Sequence, residues 1–229
     1  MSLILNIETS TASAFVSLGL SGETLKAVHN EEQKDHARFL QPAIQLLLND
    51  AGITINHIDA IAVSAGPGSY TGLRVAMASA KGLSYALKKP LISISTLEIM
   101  AFSAILENEG TSDLASTLFC PMIDARRMEV FTALYNPALK VVMQPCAMIL
   151  DNNSFAYWLL KNKILFFGNG AAKFRSFASN ENAIFLPILN NVLAMSKLTH
   201  QKYLQHNFAD LAYSEPFYLK EFFDQGNRP

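Results

Sequence analysis

The chain has 229 residues, 50% of them hydrophobic and 16% charged, with a formal net charge of −1. This composition predicts an ordered globular protein with a sizeable core, and it argues against one that grips nucleic acid alone, which needs a surplus of Lys and Arg to meet phosphates. The N-terminal MSLILNIETSTAS has no basic lead, and no uncharged apolar run reaches 18 residues. Neither a signal peptide nor a membrane span is expected, and a cytoplasmic protein is.

Residues 3–8 (LILNIE), 14–20 (AFVSLGL) and 24–31 (TLKAVHNE) are separated by a Thr/Ser turn and by Ser21-Gly22. Connections this short predict a three-stranded antiparallel meander. Asp35 is placed to cap a helix that stops at Gly52. Within it Leu40, Ile44, Leu47 and Ala51 form one stripe of helical period, and Phe39, Ala43 and Leu46 form a second on a neighbouring face. Pro42 is expected to kink this helix or to mark its first turn. A strand over 58–65, a glycine loop, a helix over 71–87 and a strand over 91–94 follow. The order β-β-β-α-β-α-β is that of a ribonuclease-H-like lobe, the building unit of actin-like (ASKHA) folds.

In the second half, 111–116 reads as a linker, and 117–124 pairs with 128–136 as a hairpin around Ala125-Arg126. Residues 164–171 read as a strand, a glycine turn and a helix start. Signals for a last helix are weak, the final Asn-Arg-Pro should fray, and no internal repeat is visible. The first half is therefore read as α/β, a mixed sheet flanked by helices, and the length leaves room for one large domain or two small lobes. The division falls at 1–103 and 104–229, with the last helix able to pack back on the first lobe.

The loop Gly66-Pro67-Gly68-Ser69-Tyr70-Thr71-Gly72 lacks the Gly-Lys-Ser/Thr ending of a P-loop and the spacing of a dinucleotide fingerprint. It reads either as a phosphate turn at a helix N-terminus or as a tight strand-to-helix connection. Glu8, Thr9 and Ser10 end the first strand, where actin-like folds keep a carboxylate and hydroxyls near phosphate. With Gly66, Gly68, Gly168 and Gly170 they are the nucleotide-binding candidates. In the helix after the loop, Gly72, Ala76, Ala80 and Ser84 recur every four residues, and Arg74, Lys81 and Lys88 every seven. Small residues in such a row let a neighbouring backbone come close, on the chain's own sheet or on a second helix. The two helices carry more apolar and small surface than one core needs. Phe39, Ala43, Leu46, Gly72, Arg74, Ala76 and Ala80 are therefore the candidate partner interface. No metal site is expected: among His29, His36, His57, His200 and His206 no pair lies three or four apart on a helix, and Cys120 and Cys146 are not spaced as ligands. No catalytic residue is assigned, since no nucleophile-and-base pattern occurs.

Together, ILNIETST, DHARFLQPAIQLLL, AVSAGPGSYTGLRVAMASAKGL, DARRMEVFTALY, GNGA and PFYLK resemble the bacterial TsaB family, formerly called YeaZ and labelled glycoprotease-like. The resemblance spans most of the chain and is densest over 3–135. It implies an α/β fold of two actin-like, ribonuclease-H-like (ASKHA) lobes with mixed central sheets flanked by helices, and a part in tRNA processing: formation of N6-threonylcarbamoyladenosine (t6A) at adenosine 37, beside the catalytic paralogue TsaD and the ATPase TsaE. TsaD-like sequences carry a metal-binding His-x-x-x-His, where this chain has Thr96 and Met100, which cannot replace two imidazoles. A smaller departure is Lys220, where the family commonly has Arg. The implied function is a non-catalytic scaffold subunit that stabilises and activates TsaD and supports TsaE docking. The competing readings are a stand-alone actin-fold phosphotransferase and a metallo-glycopeptidase. No cofactor of the chain's own is expected, with ATP or ADP at the interface with TsaD. The implied partners are TsaD in a heterodimer and TsaE. A homodimer through the same helices is the competing assembly, and tRNA is met only through the complex.

Overall fold

The computed structural model describes residues 1–11, 13–30, 36–111, 113–187 and 191–220. Asp35, the side chain of His36 and the final Asn-Arg-Pro lie outside them.

Strand β1 (Leu3–Glu8) is the middle of the first sheet. It pairs antiparallel with β2 (Phe15–Leu20), which pairs antiparallel with β3 (Glu23–His29). On its other edge β1 runs parallel to β4 (Ala60–Gly66), and β4 parallel to β5 (Leu91–Ser95). The order β3-β2-β1-β4-β5 joins an antiparallel meander to parallel strands, as the ribonuclease-H-like reading of the element order implies. Alternation along β1 sends Leu5 and Ile7 to one face and Ile4, Asn6 and Glu8 to the other. Helices α1 (His36–Ala51) and α2 (Tyr70–Leu87) close the first face: Leu40, Ile44, Leu47, Ala76, Met77 and Ala80 meet Leu5, Ile7, Val16, Leu18 and Val63 in one buried cluster. The second face is covered by α3 (Thr96–Glu107) and, from the far end of the chain, α6 (Val192–Leu204), through Ile99, Met195 and Leu198.

The second sheet repeats this winding. Strand β6 (Thr117–Asp124) is central, antiparallel to β7 (Glu129–Tyr135), which is antiparallel to β8 (Val141–Ile149). On the other side β6 runs parallel to β9 (Lys163–Phe167), and β9 parallel to β10 (Ala183–Phe185). The order β8-β7-β6-β9-β10 matches β3-β2-β1-β4-β5 strand for strand and direction for direction. Two short helices, α4 (Ala156–Leu159) and α5 (Ala171–Arg175), pack on it around Phe155, Phe166 and Phe174, whose ring centroids lie 4.8–5.2 Å apart. Helix α3 belongs to both lobes. Its Leu97, Met100, Ala101, Ala104 and Ile105 share a buried cluster with Phe119, Ile123, Ala133, Tyr135 and Phe167 of the second sheet. The division read between residues 103 and 104 lies inside this helix.

Helix α1 runs on through Pro42, so that proline does not mark its first turn; it stops where expected, with Gly52 at φ 66°. The interface reading needs correction. Ala76 and Ala80 are fully buried, Ala43 nearly so, and Gly72 is buried in α2. The small-residue row faces the chain's own sheet and is closed to a partner. Leu46 and Arg74 remain exposed and Phe39 half-buried. No helix of the described residues is long and apolar enough to cross a membrane.

Candidate functional site

Because both sheets are wound alike, the C-terminal tips of β1, β4, β6 and β9 point toward one gap between the lobes. A cleft of about 810 Å³ opens there. Ser10, Pro67, Gly68, Ser69, Tyr70 and Thr71 form its first wall. Asp124, Arg126, Arg127, Glu129 and Asn169 form the second, and Phe217, Tyr218 and Lys220 close one side.

On the first wall, the chain leaves β1 in a tight turn that folds its polar groups inward. Glu8, Thr9 and Ser10 are at most 1% exposed. The Ser10 backbone N–H donates to Glu8 Oε1 at 2.5 Å, and the Ser10 hydroxyl donates to the same oxygen. Thr9 Oγ1 donates to the Gly72 carbonyl at 2.8 Å. Burial pushes the Glu8 carboxyl above its ordinary value, against the opposing hydrogen bonds from Ser10. The glycine loop is drawn onto the same turn. Ser69 N–H donates to the Ser10 carbonyl at 2.6 Å, and a Cβ at Gly68 would lie 2.2 Å from that carbonyl oxygen. Gly66 sits at φ 114°, and its Cβ would lie 2.6 Å from the Phe217 carbonyl oxygen. Ser69 then caps α2 by accepting from Gly72 N–H at 3.3 Å.

The second wall makes the equivalent turns with different chemistry. A Cβ at Gly168 would lie 2.4 Å from the Met122 carbonyl oxygen, and one at Gly170 would lie 2.9 Å from Val130 Cγ1. Asn169, between them, accepts from Asp124 N–H at 2.9 Å. Lys173 Nζ donates to Asp124 Oδ1 at 2.7 Å and to the Glu129 carbonyl at 3.1 Å. Partial burial would raise the Asp124 carboxyl, but the Lys173 ammonium and the Arg126 N–H overcome it and hold it below its ordinary value. The β6–β7 turn carries Arg126 at φ 67° and Arg127 at φ 46°, two successive left-handed residues that set both arginines at the cleft.

The seven nucleotide candidates thus gather at the strand tips bordering one cleft. Their hydroxyls and close-packed faces, however, are engaged within the chain, and the glycines make room for its own backbone. The Thr9 and Ser10 hydroxyls are therefore turned to the chain's own groups and away from a phosphate in the cleft. Sequence reasoning missed Arg126, Arg127, Tyr70 and Tyr218. A left-handed arginine pair leaves no sign in composition, and the Tyr70–Tyr218 contact, 5.5 Å between ring centroids, joins residues far apart in the chain. The seven-residue spacing of Arg74 and Lys81 was a visible signal. Both side chains reach the C-terminal segment: Arg74 Nε donates to Tyr218 OH at 3.3 Å, and Lys81 Nζ to the Ala212 and Ser214 carbonyls at 3.1 and 2.9 Å.

Comparison with known proteins agrees with this architecture. A family model described as TsaD, tRNA N6-adenosine threonylcarbamoyltransferase, matches residues 26–217. The tRNA threonylcarbamoyladenosine biosynthesis protein TsaB of Bacillus subtilis (strain 168) is 33% identical over 72% of this chain and 70% of its own length. The protein of the same name from Haemophilus influenzae is 29% identical over 95% of this chain and 93% of its own. The solved structure of YeaZ from Pseudomonas aeruginosa superposes with a TM-score of 0.74 at 25% identity, covering 96% of this chain and all of that one. The repeated winding, the cleft between the lobes and these matches together mean that the chain belongs to the TsaB (YeaZ) family, within the wider group related to TsaD.

Proposed function

We propose that this chain is a non-catalytic scaffold subunit for N6-threonylcarbamoylation of adenosine 37 in tRNAs, stabilising TsaD and supporting TsaE docking in the cytoplasm. Membership of a family of tRNA threonylcarbamoyladenosine biosynthesis proteins supports the pathway. The observation that carries the scaffold role is the packing at Thr96 and Met100. Both are buried, at 1% and 6% exposure, and Met100 lies in the apolar cluster shared by the two lobes. Its Cε lies 2.5 Å from where a Gly168 Cβ would be. The place that corresponds to a metal-binding histidine pair in TsaD-like sequences is here filled with core. This argues against the metallo-glycopeptidase reading, and the inward-turned oxygens of Glu8, Thr9 and Ser10 argue against the phosphotransferase. The same reading assigns ATP or ADP to the seam with TsaD.

The partner surface is the outward side of α1 and α2. These helices are held side by side by Gln41 Nε2 donating to Ser79 Oγ at 3.2 Å. Leu46 is 49% and Tyr85 79% exposed there, beside Pro42, Ala78 and Gly82. Exposed apolar and small residues on two neighbouring helices suit a four-helix contact with TsaD. The test is reconstitution of TsaD, TsaE, tRNA and the threonylcarbamoyl-adenylate donor, with and without this chain. Product should form at speed only when the chain is present. Equal product in both reactions would remove the proposed role.

A further inference from the structure

After α6 the chain returns along the first lobe as an open segment, residues 209–220. Ala209 N–H donates to the Leu91 carbonyl at 2.8 Å, at the start of β5. Leu211 packs on the α1/α2 core, and Lys81 on α2 holds the carbonyls of Ala212 and Ser214. Phe217 N–H donates to the Ala65 carbonyl at 2.6 Å, and its own carbonyl lies against Gly66. Tyr218 meets both Tyr70 and Arg74 at the start of α2. The segment then crosses the cleft, and the Lys220 ammonium pairs with the Glu129 carboxylate on β7.

These attachments are lightly built. Beyond the bridge at Ala209 the segment forms no strand ladder, and Tyr213 is 85% and Phe217 46% exposed. The crossing ends on one ion pair, between a lysine that is about half exposed and a carboxylate that is mostly buried. A segment with few buried contacts and solvent-exposed hydrogen bonds opens well below the free energy of global unfolding.

We propose that residues 209–220 are a latch between the lobes. Closed, it covers the Gly66 turn, supplies one side of the cleft and ties β7 to the first lobe. Released, it frees that side, and the lobes turn relative to each other about α3, the helix whose core they share. The glycine at 66 is then a seat for the chain's own Phe217 carbonyl. This inference concerns the isolated chain and does not depend on the scaffold role.

The test uses the full chain in a Cys146→Ser background, with spin labels on Ala86→Cys in α2 and Asn153→Cys in the second lobe, both exposed positions. Pulsed electron resonance reads the distance between lobes, and amide exchange by NMR reads the Phe217 N–H. Lys220→Glu turns the crossing attraction into repulsion, and Lys81→Ala releases the segment from α2. Each is expected to speed Phe217 exchange at least tenfold and to broaden and shift the distance between labels. Lys220→Arg, which keeps the pair, is expected to retain the unsubstituted behaviour in both readouts. Unchanged Phe217 exchange in both releasing variants would overturn the latch. So would faster exchange with an unaltered distance, which would make the segment a passive covering.

Discussion

Glu8 carries its carboxyl into the protein at the tip of β1, with two groups of Ser10 donating to one oxygen. Its pKa is raised above 4.5 in the folded state, chiefly by burial. The folded protein therefore holds this proton more tightly than the unfolded chain does. The Glu8 contribution to stability is full below pH 4.5 and is lost as pH rises through the folded value. Glu8→Gln keeps the oxygen that Ser10 uses and removes the charge. Denaturant midpoints across a pH series should show the variant more stable than the parent at pH 8, with the gap closing toward pH 4. A gap of constant size would refute the buried-carboxyl account. Gly68 gives a second test at this scale. In Gly68→Ala the new methyl meets the Ser10 carbonyl oxygen, and overpacking of this kind costs about 1–3 kcal/mol. For a chain of this length the thermal midpoint should fall by roughly 2–4 °C per kcal/mol. A phosphate-facing glycine would instead lose ligand affinity with little change in midpoint.

Helix α2 shows what a stretch of sequence can and cannot announce. Its limits were legible, because a glycine turn precedes it and the apolar period carries through it. Which side faced inward was not, since Gly72, Ala76 and Ala80 suit close packing on a sheet as well as on another helix. Burial decides the matter, and it separates two neighbouring substitutions. Ala76→Arg forces an unpaired guanidinium into the α2–sheet core. The expected cost is about 3–5 kcal/mol, read as aggregation or a collapsed unfolding midpoint. Ala78→Arg lies on the exposed side and should leave the midpoint within about 0.5 kcal/mol. On the proposed interface it should weaken TsaD binding at least tenfold by calorimetry; unchanged affinity would move the interface elsewhere. Helix α3 was illegible for the opposite reason. Its run LEIMAFSAIL is apolar nearly all round because lobes cover it on both sides, so it has no amphipathic period to read.

At the scale of the molecule, α3 makes the two lobes one cooperative unit. Its residues sit in two clusters, Ile99 with the first sheet and Leu97, Met100, Ala101, Ala104 and Ile105 with the second, so melting one lobe strips buried surface from the other. Trp158, the chain's single tryptophan, stands in the second lobe beside Phe155, whereas far-ultraviolet dichroism reports on both lobes. The two signals should unfold along one curve; separated transitions would show that α3 does not couple the lobes. The element order of the first lobe was legible because its turns are short and its strands are brief apolar runs, buried along nearly their whole length in β1, β2 and β4. In the second, β8 and β10 went unread: one is an edge strand with little alternation, the other only three residues long. The repeat itself was invisible, because what recurs is the path of the backbone and not the side chains along it.

Doubling one path has an evolutionary reach of its own. Two halves wound alike leave a groove between them, and exposed positions on its rim, Arg126 and Arg127 among them, can change without opening either hydrophobic interior. Here one bank has become glycine and tyrosine, the other arginine and carboxylate. New specificity in such a molecule can be written at a handful of rim positions while the architecture beneath stays untouched.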